Sequence, residues 1–364
     1  MPLATAAPIA RPCVVCIPAR NEEERLPILL ATLARQNGFS AEAPLRVVVI
    51  ANNCTDRTVA AIRAQEESGA LAALRLRVIE AALEGAQAHV GTARRMALEA
   101  GADWLDAETG PDGILLTTDA DARVPADWVA ANLAALRGAD VVGGRLVIDA
   151  DGAADPRLAD LHARIERYWA GVRRLEDILD PPPHDPAPRH GDHTGASLAV
   201  PVALYRAVGG LPPLPCGEDN ALVGLLRAGG ARLRHCPDVR VMVSARHQGR
   251  VSGGMATEMA RRARVLAGEP YLLPEAAHWQ ALVLRRAALR RAFPLAGPAR
   301  SEACARLGLR ADELAALGDC PNDIAFVERA DRLLESRSRP ARECPLDRAL
   351  ADLDALALSL REAA

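Results

Sequence analysis

Short β-branched apolar runs alternate with longer amphipathic stretches through the first third of this chain, and that alternation leaves few folds open. Cys13-Val-Val-Cys-Ile17, Arg46-Val-Val-Val-Ile50, Leu76-Arg-Val-Ile79 and Ile114-Leu-Leu-Thr117 read as strands. A helix between the first two is expected to start with Asn21 as N-cap and Glu24 three residues on, burying Leu26, Leu29, Leu30 and Leu33. Further helices are expected from about Thr58 and from about Thr92 to Ala100. A βαβαβαβ order means an α/β fold: a mostly parallel sheet with helices on both faces. Ligands of such sheets collect at the carboxyl ends of the strands. The polar clusters at 18–22, 52–56 and 118–121 all lie there.

The character changes after about residue 150. Asp180-Pro-Pro-Pro-His-Asp-Pro-Ala-Pro188 is barred from regular structure by its prolines and reads as a loop over the sheet edge. Apolar runs return at Ala196–Val200 and Val239–Val243, with a helix from about Asn220 to Ala228. Beyond about 265 the chain reads as helical throughout. Leu346, Leu350, Leu353, Ala357 and Leu360 form one stripe behind Pro345, which fits a packing helix and leaves room for a homodimer. The expected organisation is a domain over 1–262, with halves at about 12–122 and 123–262, followed by a helical extension over 263–364. There are no internal repeats.

Composition narrows the classes. Half of the 364 residues are hydrophobic but only 3% are aromatic, so the core must be built from Ala, Leu and Val. The chain has no Lys, and its Arg is scattered; the net charge of −3 and the lack of a long basic run argue against a dedicated nucleic-acid or anionic-membrane surface. Cys13 and Cys16, three apart on a strand, point to opposite faces and share no metal, and no second pair completes a zinc site. The eight cysteines read as free thiols in a reducing compartment. Without a signal-like start or an apolar run long enough to span a bilayer, the expectation is a cytoplasmic protein.

Two acid pairs stand out. Asp119-Ala-Asp121 follows the fourth strand, where carboxylates converging on one point suit Mg2+ or Mn2+; an acidic turn leading to Pro125 accounts for the same residues. Arg123 beside them reads as a local neutraliser. Glu218-Asp219 opens a helix, as an acceptor-activating base or as dipole-favoured acids. Gly91-Thr-Ala-Arg94-Arg95 also opens a helix, a natural phosphate seat. The histidines show no clustered pair in the sequence; His193 and His247 read as isolated loop residues.

Taken in order, Ile17-Pro-Ala-Arg-Asn-Glu22, Ala51-Asn-Asn-Cys-Thr-Asp56, Gly91-Thr-Ala-Arg94, Thr118-Asp-Ala-Asp121, Thr194-Gly-Ala-Ser-Leu198 and Gly217-Glu-Asp219 resemble the motif series of family 2 glycosyltransferases with the GT-A fold. The resemblance spans about residues 12 to 260 and gives the extension no counterpart. It implies a metal-dependent enzyme moving one sugar from a UDP- or GDP-linked donor to a hydroxyl acceptor, with inversion. Pro18, Ala19, Arg20, Asn21, Glu22, Asn52 and Asn53 are then the walls of the nucleotide pocket. Arg94 approaches the diphosphate or base, Asp119 meets ribose and sugar with Ala120 between the acids, and Asp121 is the metal ligand. Asp219 is the base, supported by Glu218. His247 completes the metal sphere, and Arg246 and Arg250 close over the diphosphate. Many members carry Asp-Asp where this chain has Asn52-Asn53, a departure that opens the choice of uridine or guanosine. The Gln-x-x-Arg-Trp signature of processive synthases is missing, which points to single transfer. A retaining transferase would share the donor site without needing Asp219. From a different class, "ACARLGLRADELAAL" at 303–317 loosely resembles a DNA-binding helix-turn-helix, and two short helices around Gly308 explain it equally well.

Overall fold

A computed structural model describes residues 11–110, 112–149, 155–244 and 255–362. Its elements run β1 (Cys13–Ala19), α1 (Leu26–Leu33), β2 (Leu45–Asn52), α2 (Thr58–Glu67), β3 (Leu74–Ala81), α3 (Val90–Thr109), β4 (Ile114–Thr117), α4 (Trp128–Ala135) and β5 (Val141–Asp149). There follow α5 (Pro156–Leu179), β6 (Leu198–Pro201), α6 (Val202–Ala207), α7 (Glu218–Ala228), β7 (Leu233–Ser244) and α8 (Met255–Leu266). The chain ends with β8 (Leu272–Pro274), α9 (Ala276–Ala292), α10 (Gly297–Arg306), α11 (Ala311–Ala316), α12 (Asp323–Glu335), β9 (Glu343–Pro345) and α13 (Leu346–Glu362).

Two compact units interleave along the chain. The first takes Met1–Asp151, Pro188–Val223 and Leu233–Thr257; the second takes Gly152–Ala187, Gly224–Arg232 and Glu258–Ala364. The second unit also draws in α5, which sequence alone assigns to the first.

The first unit holds a seven-stranded sheet in the order β3-β2-β1-β4-β6-β5-β7. Its pairs are parallel except where β6 runs against β4 and β5. β1 is buried along its whole length, which explains its unbroken apolar run. Cys13, Val15 and Ile17 pack into the core with Leu26, Leu29, Leu30 and Leu33 of α1 and Trp128 of α4. On the other face a Cβ added to Gly101 of α3 would lie 2.7 Å from Cys16 Sγ. The two thiols therefore face opposite ways, and burial pushes Cys13 up to about 12 against the pull of Arg46.

Asn21 is not the N-cap of α1. It adopts φ 53°, and α1 starts only at Leu26 behind Arg25. Its side-chain Oδ1 accepts instead from the Thr55 backbone N–H at 2.7 Å, tying the turn after β1 to the turn after β2. A cross-link between two adjacent strand ends outcompetes the local cap.

The second unit buries the apolar stripe of α13. Leu346, Leu350, Leu353 and Ala357 pack with Leu161, Ile165, Tyr168, Val172 and Leu175 of α5 in one core cluster. That face is covered within the chain, so the stripe no longer offers a surface for a homodimer. Tyr168 is fully buried; its hydroxyl donates to the Pro274 carbonyl at 2.7 Å and accepts from Trp279 Nε1 at 2.6 Å. α10 and α11 flank Gly308 and bury Cys304, Leu309 and Leu317 with Phe326 of α12, as two short helices of a packed bundle. β8 and β9 form a two-stranded antiparallel sheet that the sequence did not show. No helix among the described residues is long and apolar enough to cross a membrane.

Candidate active site

The guanidinium of Arg94 gathers the site. α3 begins with His89 as N-cap, its Nδ1 accepting from Thr92 N–H at 3.3 Å. Gly91 lets the 211–216 loop lie on that helix start, since an added Cβ would strike the Leu214 carbonyl and sit 2.9 Å from its amide nitrogen. One turn in, Arg94 turns inward and keeps only 3% of its surface exposed. Its Nε donates to Glu218 Oε1 at 3.0 Å. Nη1 donates to Thr117 Oγ1 at 2.9 Å and to the Gly195 carbonyl at 2.8 Å. Nη2 donates to Asp119 Oδ1 at 2.6 Å. Any side chain at 195 is barred, because a Cβ there would sit 2.7 Å from Arg94 Nε. Burial works against the charge on Arg94, but Asp119 and Glu218 outweigh it and hold the group above its ordinary value.

Asp119 therefore has a positive neighbour, and it is Arg94 from 25 positions upstream. Arg123, the sequence neighbour, uses its backbone to bridge to β7: its N–H donates to the Met242 carbonyl at 2.9 Å, and Met242 N–H returns the bond at 2.8 Å. Burial of the carboxyl group, followed by the like charges of Asp121 and Asp219, pushes Asp119 up against the pull of Arg94. Its side chain still keeps 38% of its surface open. Ala120 is buried and Asp121 is half-buried.

Asp219 stands in the first turn of α7. Oδ2 accepts from the Gly195 backbone N–H at 2.8 Å and Oδ1 from Asn220 N–H at 2.8 Å. One oxygen on each of these bonds leaves lone pairs for an incoming hydroxyl. Glu218, by contrast, is buried and committed to Arg94. Asp219 is close enough to act electrostatically on both Arg94 and Asp119.

The turns after β1 and β2 form one wall. Pro18 and Ala19 end β1, Arg20 is exposed, and Glu22 is buried with its N–H donating to Thr58 Oγ1 at 2.8 Å. Burial acts against Asp56, but hydrogen bonds from Thr58 and the Glu23 N–H overcome it and hold the carboxyl below its usual range. The two asparagines divide the work. Asn53 sits at φ 50°, a left-handed conformation that Asn tolerates better than most residues. Its Nδ2 donates to the Leu83 carbonyl at 2.9 Å and its Oδ1 accepts from Leu83 N–H at 3.1 Å, prolonging the β2–β3 pairing. Asn52 is 3% exposed. By strand alternation it faces the same side as Ile50. That side opens on a cleft of about 480 Å³ lined by Ile50, Ile79, Thr92, Met96 and Pro213.

The described residues contain no group of three His, Cys, Asp or Glu able to hold a metal. Asp119 and Asp121 offer two carboxylates, an all-oxygen set that fits a hard divalent ion taking its remaining ligands from phosphate and water. Arg246, His247 and Arg250 lie outside the described residues. The structure also reveals what the sequence hid. His190, His193 and His235 come together beside the Thr194–Gly195 turn, with ring centroids of His193 and His235 5.3 Å apart and those of His190 and His235 5.7 Å apart. His190 and His193 lie three apart in the sequence, a spacing that drew no notice there, and His235 joins them from 42 positions beyond His193.

A family model described as Glycosyl transferase family 2 matches residues 14–184. No curated protein matches the chain. Among solved structures, residues 1–349 of S. aureus TarS in complex with UDP-GlcNAc align at 20% identity and TM-score 0.48, covering 96% of this chain and 90% of that one. A mannosyltransferase from Pyrobaculum calidifontis in complex with GDP-Man and Mn2+ aligns at 18% identity and TM-score 0.44, covering 93% and 92%. M. tuberculosis glucosyl-3-phosphoglycerate synthase aligns at 16% identity and TM-score 0.36, covering 72% and 82%. Over residues 14–184 the chain matches glycosyl transferase family 2, and that segment carries β1 to β5 of the seven-stranded, mostly parallel sheet.

Proposed function

We propose that this chain transfers one sugar from a nucleotide-diphosphate sugar to an acceptor hydroxyl, with inversion and with a divalent ion at Asp119 and Asp121. The observation that carries the reading is the convergence of Asp119, Gly195 and Glu218 on the buried guanidinium of Arg94, with Asp219 held on the Gly195 N–H. A structural turn of acids needs no such centre.

The roles follow from the contacts. Arg94 does not face solvent; it braces Asp119 and Glu218 so that the donor-side acid and the start of α7 keep a fixed separation. Asp219, oriented through both oxygens, takes the proton of the acceptor hydroxyl as that oxygen bonds to the anomeric carbon and the bond to the diphosphate breaks. When bound at Asp119 and Asp121, Mg2+ or Mn2+ would neutralise the charge that develops on the departing diphosphate. On the nucleotide side, Asn53 is committed to Leu83, so base recognition falls to the Asn52 amide. An amide offers one donor and one acceptor side by side, complementary to uracil N3–H with O4 and to guanine N1–H with O6. An Asp there would accept only. Arg20, Asn21 and Glu22 belong to the same wall, and Arg246, His247 and Arg250 are proposed to complete the diphosphate and metal contacts.

The test is a panel of UDP- and GDP-linked sugars with Mg2+ or Mn2+, read by thermal shift and by slow donor hydrolysis. We expect Asp121→Ala to abolish metal-dependent donor binding. Normal donor binding and turnover in Asp121→Ala would remove the metal site.

A further inference from the structure

Arg94 holds the front of the acidic turn after β4, and the end of α1 holds its rear. Ala122 N–H donates to the Asp119 carbonyl at 3.1 Å and closes the turn. Ala120, Ala122 and Val124, which alternate with Asp119, Asp121 and Arg123, are buried in the core with Leu26, Leu29, Leu30 and Leu33 of α1. Val124 N–H then reaches Thr32 Oγ1 at 3.5 Å, and α4 begins at Trp128. That helix start has no side-chain cap of its own, since Asp127 at the N-cap position makes no capping hydrogen bond. An uncapped start leaves backbone N–H groups to be satisfied from elsewhere.

Gln36 supplies the partner. It lies just past Ala34, the C-cap of α1, and is 2% exposed. Its Oε1 accepts from Val129 N–H at 2.9 Å. Its Nε2 donates to the Pro125 carbonyl at 2.7 Å and to the Thr32 carbonyl at 3.3 Å. The partners fix which end of the amide is which, because the Val129 N–H only donates and the Pro125 carbonyl only accepts. Beside it, Asn37 N–H donates to the Ala126 carbonyl at 2.7 Å. One buried amide thus joins α1, the end of the acidic loop and the first turn of α4. A carboxylate in its place has no donor for Pro125, and an apolar side chain forfeits all three bonds.

We propose that Gln36 is a positioning residue for the Asp119–Asp121 turn, holding the far end of the loop so that the two carboxylates keep one geometry. With Arg94 on Asp119 and Gln36 on Pro125, the stretch from 119 to 125 is fixed at both ends. The backbone bridge from Arg123 to Met242 pins it in between. Arg94 fixes the Asp119 carboxylate directly, whereas Asp121 lies on the stretch whose far end Gln36 holds. The consequence for the ion rests on the reading above, in which Mg2+ or Mn2+ binds at Asp119 and Asp121. Such an ion takes its oxygen ligands in a demanding geometry, Mg2+ most of all. A looser loop therefore weakens metal binding and spares Asp219, which is oriented separately by Gly195 and Asn220.

The hold on the turn is tested without donor, acceptor or metal, by hydrogen–deuterium exchange of single amides read by NMR. In Gln36→Met the Val129 amide should lose protection, and so should the Ala122 amide that closes the turn. Each should exchange about fivefold faster or more, the factor that one net hydrogen bond is worth. Gln36→Glu keeps the bond from Val129 N–H at neutral pH and forfeits both donations. There Val129 should stay protected while Ala122 speeds up, which separates the grip on the loop from the cap on α4 and serves if Gln36→Met folds poorly. With the donor identified from the panel, the Mn2+ concentration for half-maximal donor binding should rise by about tenfold in both variants, the lower end of what groups supporting metal ligands are worth. Donor hydrolysis at saturating donor and Mn2+ should stay within about twofold of wild type. A merely structural role would lower the folded fraction, and with it that rate, and leave the Mn2+ requirement where it is. Wild-type protection of Ala122 in both variants, or an unchanged Mn2+ requirement where wild type binds donor through Mn2+, would overturn the positioning role. Faster Ala122 exchange in a protein whose donor binding needs no metal would uphold the hold on the turn and count against the metal reading.

Discussion

Removing the guanidinium of Arg94 should cost more than any single surface change in the first unit. Arg94→Met keeps much of the side-chain volume but leaves Glu218, whose side chain is 6% exposed, facing the Gly195 carbonyl and Asp119 with no cation. Breaking a buried ion pair by deleting one partner costs about 3–5 kcal/mol. At a urea m-value of about 2 kcal/mol/M, the midpoint should fall by about 1.5–2.5 M. The assay is urea unfolding followed by Trp104 and Trp128, both in the first unit, with Trp169 and Trp279 of the second replaced by Phe. Most of the loss belongs to the stranded charge, so adding Glu218→Gln to Arg94→Met should restore at least about half of the midpoint shift. The reasoning is refuted if the single variant unfolds within about 0.5 kcal/mol of wild type, the range of an unremarkable surface change. It is equally refuted if the double variant is less stable than the single one.

Gly195→Ala should lower transfer by about 100-fold or more with the fold retained, because its Cβ would displace the Arg94 guanidinium; steady-state kinetics with circular dichroism checks this. Asn53→Gly accepts φ 50° but forfeits both bonds to Leu83, so thermal unfolding should show a loss of about 1–2 kcal/mol. Asn52→Asp should weaken uridine-diphosphate binding by about tenfold in calorimetry, since a carboxylate has no donor for uracil O4. Cys216 is exposed and should react with a thiol reagent at once, whereas Cys13, held near 12 by burial, should react only on unfolding. The folded state keeps that Cys13 proton while the unfolded state loses its own above about pH 8.5, so the stability from this group is intact below that pH and declines as pH rises through it.

β4 was legible to the residue, because Gly113 and the acids after Thr117 bound a short β-branched run. The leucine stripe of α13 was legible too, but its partner α5 lies far upstream, and a stripe does not say what covers it. β8 and β9 have three residues each, too few to show a period of two. Asn21 carried a cap signal that lost to a bond with Thr55, 34 positions away. The acids at 119 and 121 announced themselves, but nothing nearby in the sequence announced Arg94, which the fold brings to Asp119 from 25 positions upstream. The histidine pair joins residues 42 apart, and no local pattern encodes it. What sequence order conveyed was the set of strand ends; which side chains meet there depends on strand pairing and on glycines that let backbones close up.

The most direct test of Asp219 as the base separates donor binding from transfer in Asp219→Asn. The amide preserves shape and can still accept from Gly195 N–H while forfeiting the bond from Asn220 N–H, and it cannot take a proton at neutral pH. With the donor identified from the panel, we expect donor affinity within about twofold of wild type and a transfer rate lower by about 100- to 10,000-fold, with NMR of the wild-type product showing an inverted anomeric centre. Transfer near the wild-type rate in Asp219→Asn, or a retained anomer, would contradict the assignment of Asp219 as the base.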